Sequence, residues 1–563
     1  TIVKIAVEEG QQVAEGDRLS AWRTAIGPGS RVRDLVEGSA GHEVTLAVDP
    51  SVFGPTAAGE PGLPAPTPAP TGTGPQPEGP PSTGSVTPPA TQAPGTPGTT
   101  PSPTPTIAGP AVKQLGDEVV AQLRGRDVWA LPYTDADLAA AADIDPTSTI
   151  IRELVNRSSI VGRRLDEPVR ADIVLPADGL LPPGREKALT TLLSGTRLGK
   201  PAGIVVNNAA ITGTTAYTPS ARRLSAAGTR LLGWDTTLSA LLPSGPDAGM
   251  APRQQFLADT LALLGERPGT ERAVLVVGAR TYDPDVSGLS DLLEAIDAAP
   301  WLTPVRADSL LADSGDDVAT RAETPVTPVA PAAPKPTLTG PRLQRMADQR
   351  ATLHDVATVL RDGTGFEARY QEVLDELAST RWRWDRAGWT RLEASVTADV
   401  RAATLAVRVV PRSFNFLAQQ GTLTLTVENG LDYAVQDIRL VLAPTNPRMQ
   451  IVEQPPPIRI GANSKTSVKV VVRAVAAGQA DIRAFLTTAD GTPIGKPAVI
   501  PVTANPLDTT IYWIGGIIAA LVLIAGVARS LLRGSARIDE IGQTHDLVVD
   551  APDQEHGRTG PST

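Results

Sequence analysis

From Ile511 to Val527 the chain reads IYWIGGIIAALVLIAGV, without one charged side chain, and Arg529, Arg533 and Arg537 follow directly. A run of this kind ends in one of two places, the core of a larger domain or the interior of a bilayer. A core helix usually keeps a polar stripe toward solvent, and this run has none, so a membrane span is expected. It is at the short end of what crosses a hydrocarbon layer of about 30 Å, and Arg529, reaching back to the headgroups, lets Leu531 and Leu532 extend the span to 511–532. Arginines behind the run and only Asp508 just before it place residues 533–563 in the cytoplasm and the bulk outside, a single-pass type I arrangement.

The remaining chain is long enough for two to four domains, and its 41% apolar composition is ordinary for folded cores. A net charge of −10, with no basic stripe interleaved with aromatics, argues against nucleic acid as a partner. The absence of cysteine removes disulfides, thiolate metal sites and thiol nucleophiles together, and a disulfide-free ectodomain suits a bacterial envelope. The sequence opens at Thr1 with no basic n-region and no apolar h-region of its own, so an export signal upstream of Thr1 is expected.

Two spacers divide the chain. Residues 55–109 are rich in proline, threonine, glycine and serine, contain no lysine or arginine, and read as a disordered insertion, either a bare spacer or an O-glycosylated stalk. Glu323 to Pro341 repeats the pattern more briefly, with a linker over 318–341. Residues 1–317 outside the insertion alternate β-branched runs with helical patterns. Strands are expected at Val44 to Val48, Val128 to Leu131, Ile173 to Leu175, Gly203 to Val206, Arg230 to Leu232, Ala273 to Val277 and Leu302 to Val305. Seven strands with helical crossovers, and no glycine-rich phosphate turn after the first, predict a seven-stranded β/α barrel. Residues 342–400 predict a helical hairpin, and 403–507 switch to period two, with Leu423, Leu425 and Val427 alternating with threonines, which predicts an Ig-like β-sandwich.

In a β/α barrel the acids just after strands line the mouth. Asp49, Asp135, Asp178, Asp235 and Asp283 hold such positions, and the first four are candidate acid, base or nucleophile for glycoside chemistry. The structural alternative is that each caps the helix that follows it. Tyr133, Asn207, Trp234 and Asp283 are candidate ligand contacts at the same ends. No cofactor and no metal is expected: the histidines are His42, His354, His545 and His556, none at a barrel strand end, and neither a nucleophile elbow nor a phosphate loop is present. Ile2 to Leu19 faintly resembles a biotinyl or lipoyl hammerhead but offers no carrier lysine on a hairpin, so a strand-turn-strand remnant is the alternative. Trp382, Trp384 and Trp389, among Arg381, Arg383 and Arg386, are read as packing aromatics, with sugar stacking as the alternative.

Val48-Asp49-Pro50, Leu131-Pro132-Tyr133 with Asp135 and Asp137, Pro176-Ala177-Asp178-Gly179, the helix from Arg253 to Asp259 and Pro300-Trp301-Leu302 occur in an order that resembles an uncharacterised actinobacterial family of single-pass envelope proteins, over about Ala40 to Arg533. The resemblance implies genes commonly beside that of the lipid II flippase, hence a role near peptidoglycan assembly, with no catalytic activity attached. The barrel resembles those of polysaccharide deacetylases and some glycosidases, but the metal-binding histidines of the former are absent here. Three readings follow: a non-catalytic ectodomain that binds a cell-wall glycan or a membrane protein, a metal-independent glycan hydrolase using paired aspartates, and a structural organiser of membrane partners. In all three the bilayer is contacted through 511–532.

Overall fold

The computed structural model describes residues 15–54, 110–212, 218–244, 250–269, 271–312, 318–322, 334–505 and 509–532. Most of the 1–19 motif, the proline-rich insertion, residues 323–333 of the second spacer and the tail from 533 lie outside these residues, and Glu15 to Leu19 belong to a helix.

Two helices open the described chain, α1 (Glu15–Ile26) and α2 (Arg31–Gly38), the second capped by the Ser30 hydroxyl at the Arg33 amide. Strand β1 (Thr45–Val48) pairs in parallel with β2 (Asp127–Ala130), across helix α3 (Pro110–Leu123). Then come α4 (Leu138–Ile144), α5 (Thr149–Asn156) and α6 (Ser159–Leu165). The rest of the unit is β3 (Ile173–Val174), α7 (Arg185–Ser194), β4 (Gly203–Asn207), β5 (Ile211–Thr212), β6 (Arg222–Ser225), β7 (Arg230–Trp234), α8 (Thr236–Ala240), α9 (Met250–Glu266), α10 (Val286–Ala298) and β8 (Val318–Ala322).

These strands do not make the seven-stranded β/α barrel. The described strands of this unit form a two-stranded sheet, β1-β2, and a six-stranded mixed sheet in the order β3-β4-β7-β6-β8-β5, joined by a single parallel bridge between Trp129 and Arg170. The expectation fails at β7. The short hairpin β6-β7 turns at Gly228, where φ is +81°, and lays Arg222 to Leu224 antiparallel along Leu232 to Arg230. That edge is where the next parallel strand of a barrel would pair. Ala273 to Val277 therefore meets β7 only at its end, through one bridge from Leu275 to Trp234, and is not a strand. Leu302 to Val305 forms no strand either, and Pro304 there has no amide to offer a ladder. The result is two separate sheets rather than a closed ring.

The 342–400 segment contributes α11 (Gly340–Ala357) and α12 (Gly363–Glu376), and α13 (Arg386–Ala406) adds a third helix. Next come β9 (Val407–Val410), β10 (Phe414–Phe416), β11 (Gln420–Asn429), β12 (Val435–Pro444), β13 (Met449–Ile451), β14 (Ile458–Ile460), β15 (Ser464–Ala474), β16 (Gly478–Thr487) and β17 (Pro493–Ala504). They form an Ig-like sandwich of a five-stranded sheet, β10-β17-β16-β12-β14, on a four-stranded one, β13-β15-β11-β9. Alternation fixes the faces: Leu423, Leu425 and Val427 of β11 and Val468, Val470 and Val472 of β15 are buried, whereas Thr422, Thr424, Ser467 and Lys469 are exposed. The last described element, α14 (Thr509–Leu532), is long and apolar enough to cross a membrane, and none of its apolar window is buried.

One continuous core runs from Ile26 to Ala504. The helices α11 to α13 are the joint, bridging to the sandwich between Leu360 and Val435 and to the α/β unit between Ser379 and Ala136.

Candidate functional site

The strand ends of the α/β unit gather acids, and arginines from the same unit and from the helical unit answer them. Asp49 follows β1 and caps a 3-10 turn over Pro50–Phe53, accepting from the Ser51 amide at 3.0 Å and its hydroxyl at 2.6 Å. Burial pushes its carboxyl up to about 7, and the charges of Asp135 and Glu376 act in the same direction.

Beyond β2 the backbone turns through two left-handed residues, Thr134 (φ +62°) and Asp135 (φ +46°). This aims the Asp135 carboxylate at Arg280, which donates from Nε at 2.7 Å and Nη2 at 3.2 Å and holds the Leu175 carbonyl at 2.7 Å. The Thr380 hydroxyl donates to the same carboxylate. Burial lowers the pKa of Arg280, but Asp135, Asp137 and Asp178 outweigh it and the net direction is up, so this guanidinium stays charged.

Asp178, after β3, takes two bonds from Arg185 Nη1 at 3.0 and 2.9 Å and one from the Leu180 amide at 3.1 Å, while Arg185 also grips Asp143. Asp137 caps α4 at the Ala140 amide and receives Arg383 Nε at 2.7 Å and Nη2 at 3.0 Å. Behind them Asp375, 1% exposed, is ion-paired to Arg157 and Arg350, and Glu376 pairs with Arg381 at 2.8 Å. Burial raises the pKa of Glu376. Tyr133 is buried with the Arg157 guanidinium 3.4 Å from its ring centroid, a cation-π contact.

Asp49, Asp135 and Asp178 thus share one neighbourhood. Asp235 stands apart and caps α8, accepting from the Leu238 amide at 2.9 Å. Asp283 is exposed, and among the described residues no side-chain hydrogen bond engages its carboxylate. Asn207 caps the turn at Asn208–Ala210, and its own amide donates to the Gly179 carbonyl at 2.8 Å. Trp234 lies against Gly179, whose φ is +65° and whose position leaves no space for a Cβ. Among the tryptophans of the 380s, Trp382 and Trp389 are buried with their ring nitrogens bonded to the Glu376 and Leu377 carbonyls, and Trp384 is 40% exposed.

A profile described as "Family of unknown function (DUF6049)" matches residues 29–554. The chain belongs to the DUF6049 family. No curated protein matches it. Among solved structures, WR4, an MSP family member of C. elegans, is 12% identical and covers 18% of this chain and 98% of its own, with a TM-score of 0.14. E. coli alpha-2-macroglobulin is 20% identical over 18% of this chain and 6% of its own, at 0.15. An ASH/PapD-like domain of human CEP192 is 9% identical over 18% and 87%, at 0.15. Scores this low carry no argument, and the sandwich rests on its own strand pairing.

Sequence reasoning passed over most of the positive half of the DUF6049 site: Arg157, Arg185, Arg280 and Arg350 lie on separate elements with nothing local to mark them. Arg381 and Arg383 did have a signal, since they alternate with Trp382 and Trp384, and two of the three tryptophans near them are core residues. His42 pairs with Asp297 at 2.6 Å and His354 with Glu367 at 2.6 Å. Among the described residues no group of three or more His, Asp or Glu converges as a metal site.

Proposed function

We propose that this DUF6049 protein is a single-pass envelope protein whose ectodomain binds without cleaving, presenting the α/β unit on the sandwich at the cell surface. The supporting observation is the pairing of Asp135 with Arg280 and Thr380, together with that of Asp137 with Arg383: the strand-end carboxylates are engaged by arginines, and the segment Ala378–Arg383 packs against them. A catalytic carboxylate must present an oxygen to its substrate, and these carboxylates have both oxygens taken up by guanidinium donors. The partner in this reading is a cell-wall glycan or a membrane protein near peptidoglycan assembly, and the arginines after α14 favour a cytoplasmic tail. The test is to incubate the full chain with purified cell-wall glycan and lipid-linked precursor, with mass spectrometry of the products and a pull-down of the same material. Retention without new products supports binding, and new cleavage products overturn it.

A second reading, a metal-independent glycan hydrolase, draws on Asp49. Its carboxyl, at about 7 beside the charge of Asp135, is tuned as a general acid would be. Products that appear with the unaltered chain and vanish in a folded Asp49→Asn variant support that reading, and absence of products removes it.

A further inference from the structure

Three strand ends reach the same level where the chain leaves the sandwich. Phe416 pairs with Ala504, Ala504 pairs with Gly478, and the Asn505 amide donates to the Phe416 carbonyl at 2.7 Å. The loop after Phe416 begins with Leu417, and the loop before Gly478 begins with Val475, whose amide donates to the Arg448 carbonyl at 2.7 Å. Leu417 is 60% exposed and Val475 56% exposed, while elsewhere on the sandwich strand alternation turns most large apolar side chains inward. Arg448, at the same end, is exposed, and Arg473 stands one residue before Ala474.

This end is tethered closely to α14. Three residues separate Asn505 from Thr509, so an extended connection spans at most about 14 Å. From Thr509 to Trp513 the helix rises only about 6 Å. Trp513, 74% exposed, stands beside Tyr512 near the start of the apolar run, at the depth where tryptophan sits between hydrocarbon and headgroups. The tether keeps the end of the sandwich within about 20 Å of Trp513, and the headgroup layer extends several ångströms from that depth, so this end is within reach of the bilayer surface. Of the ways the module can tilt, the one that sets Leu417 and Val475 into that layer removes both from water and brings Arg448 and Arg473 to the phosphates.

We infer that the end of the sandwich formed by Leu417, Val475, Arg448 and Arg473 docks on the lipid surface as a second membrane contact, holding the ectodomain in one orientation. This rests on α14 spanning the bilayer.

The chain contains no cysteine, so single-cysteine variants of the full protein accept a spin label at one place. Leu417→Cys, Val475→Cys, the outward-facing Thr424→Cys and the mid-helix Leu521→Cys are labelled and reconstituted into phosphatidylcholine/phosphatidylglycerol nanodiscs. Collision with oxygen is compared with collision with a water-soluble nickel chelate. Labels at 417 and 475 are expected to lose nickel collisions and gain oxygen collisions relative to 424, with 521 reading as hydrocarbon. If 417 and 475 match 424 while 521 reads as hydrocarbon, the docking is wrong and the span stands. If 521 also reads as water, the span is wrong and the docking falls with it.

Discussion

Arg383 donates to both carboxylate oxygens of Asp137, at 2.7 and 3.0 Å, across 246 residues of chain, with neither side chain more than 3% exposed. This pair fastens the helical unit to the α/β unit. Removing one partner strands a buried charge, so Arg383→Ala is expected to cost about 3–5 kcal/mol. The apolar double replacement Arg383→Met with Asp137→Leu recovers part of that loss, although α4 still lacks its cap, at about 1 kcal/mol. Denaturant unfolding followed by tryptophan fluorescence reads both, because Trp382 adjoins Arg383.

Asp49 makes stability depend on pH. Its carboxyl stands at about 7 in the folded chain against an ordinary 3.8, so the folded state binds that proton more tightly than the unfolded state. The stability it contributes is present below 3.8 and lost as pH rises through about 7. Asp49→Asn cannot ionise and keeps an acceptor for Ser51. The variant is therefore expected to gain stability over the unaltered chain steadily from pH 3.8 to about 7 and to hold a constant advantage above that, measured as melting temperature in a pH series. A flat difference across this window would contradict the assignment.

Gly179→Ala combines two penalties. Its φ of +65° disfavours a side chain, and an added Cβ would stand 2.1 Å from Trp234 Cη2. A loss of about 2–4 kcal/mol is expected from strain and overpacking together. Thermal unfolding measures the loss, and a shifted Trp234 emission locates it.

Asn429, wholly buried, donates to the Tyr433 and Gly461 carbonyls at 2.8 Å each and accepts from the Leu431 amide at 3.0 Å. It ties the end of β11 to the loops before β12 and after β14. Asn429→Ala leaves the buried Leu431 amide without its acceptor and the Tyr433 carbonyl without this donor, while the Ser464 hydroxyl still serves the Gly461 carbonyl, and it is expected to lower stability by about 1–3 kcal/mol. Hydrogen exchange of the Leu431 amide, faster in the variant, reports the same break.

Whatever depends on near neighbours in the chain could be read from the residues alone. The alternation of Thr422 to Val427 dictated a one-sided strand, the charge-free run from Ile511 dictated a helix suited to lipid, and a cap was the local alternative to a catalytic role for Asp235, which stands directly before Thr236. Each of these is decided within a few residues, by side-chain periodicity or by a single side-chain-to-amide bond. Two features required the folded chain. The barrel fails because Arg222 to Ser225 pairs back onto β7, and a short polar segment gives no local sign that it will take a strand edge ahead of the more strand-like Ala273 to Val277. The roles of Asp135 and Asp137 were undetermined for the same reason: a carboxylate after a strand is a reactive group or a structural anchor according to the charge set against it, and Arg280 and Arg383 arrive from 145 and 246 residues away. Pairing energies inside a protein depend on distance in space and on exclusion of water, and neither is written in the order of residues.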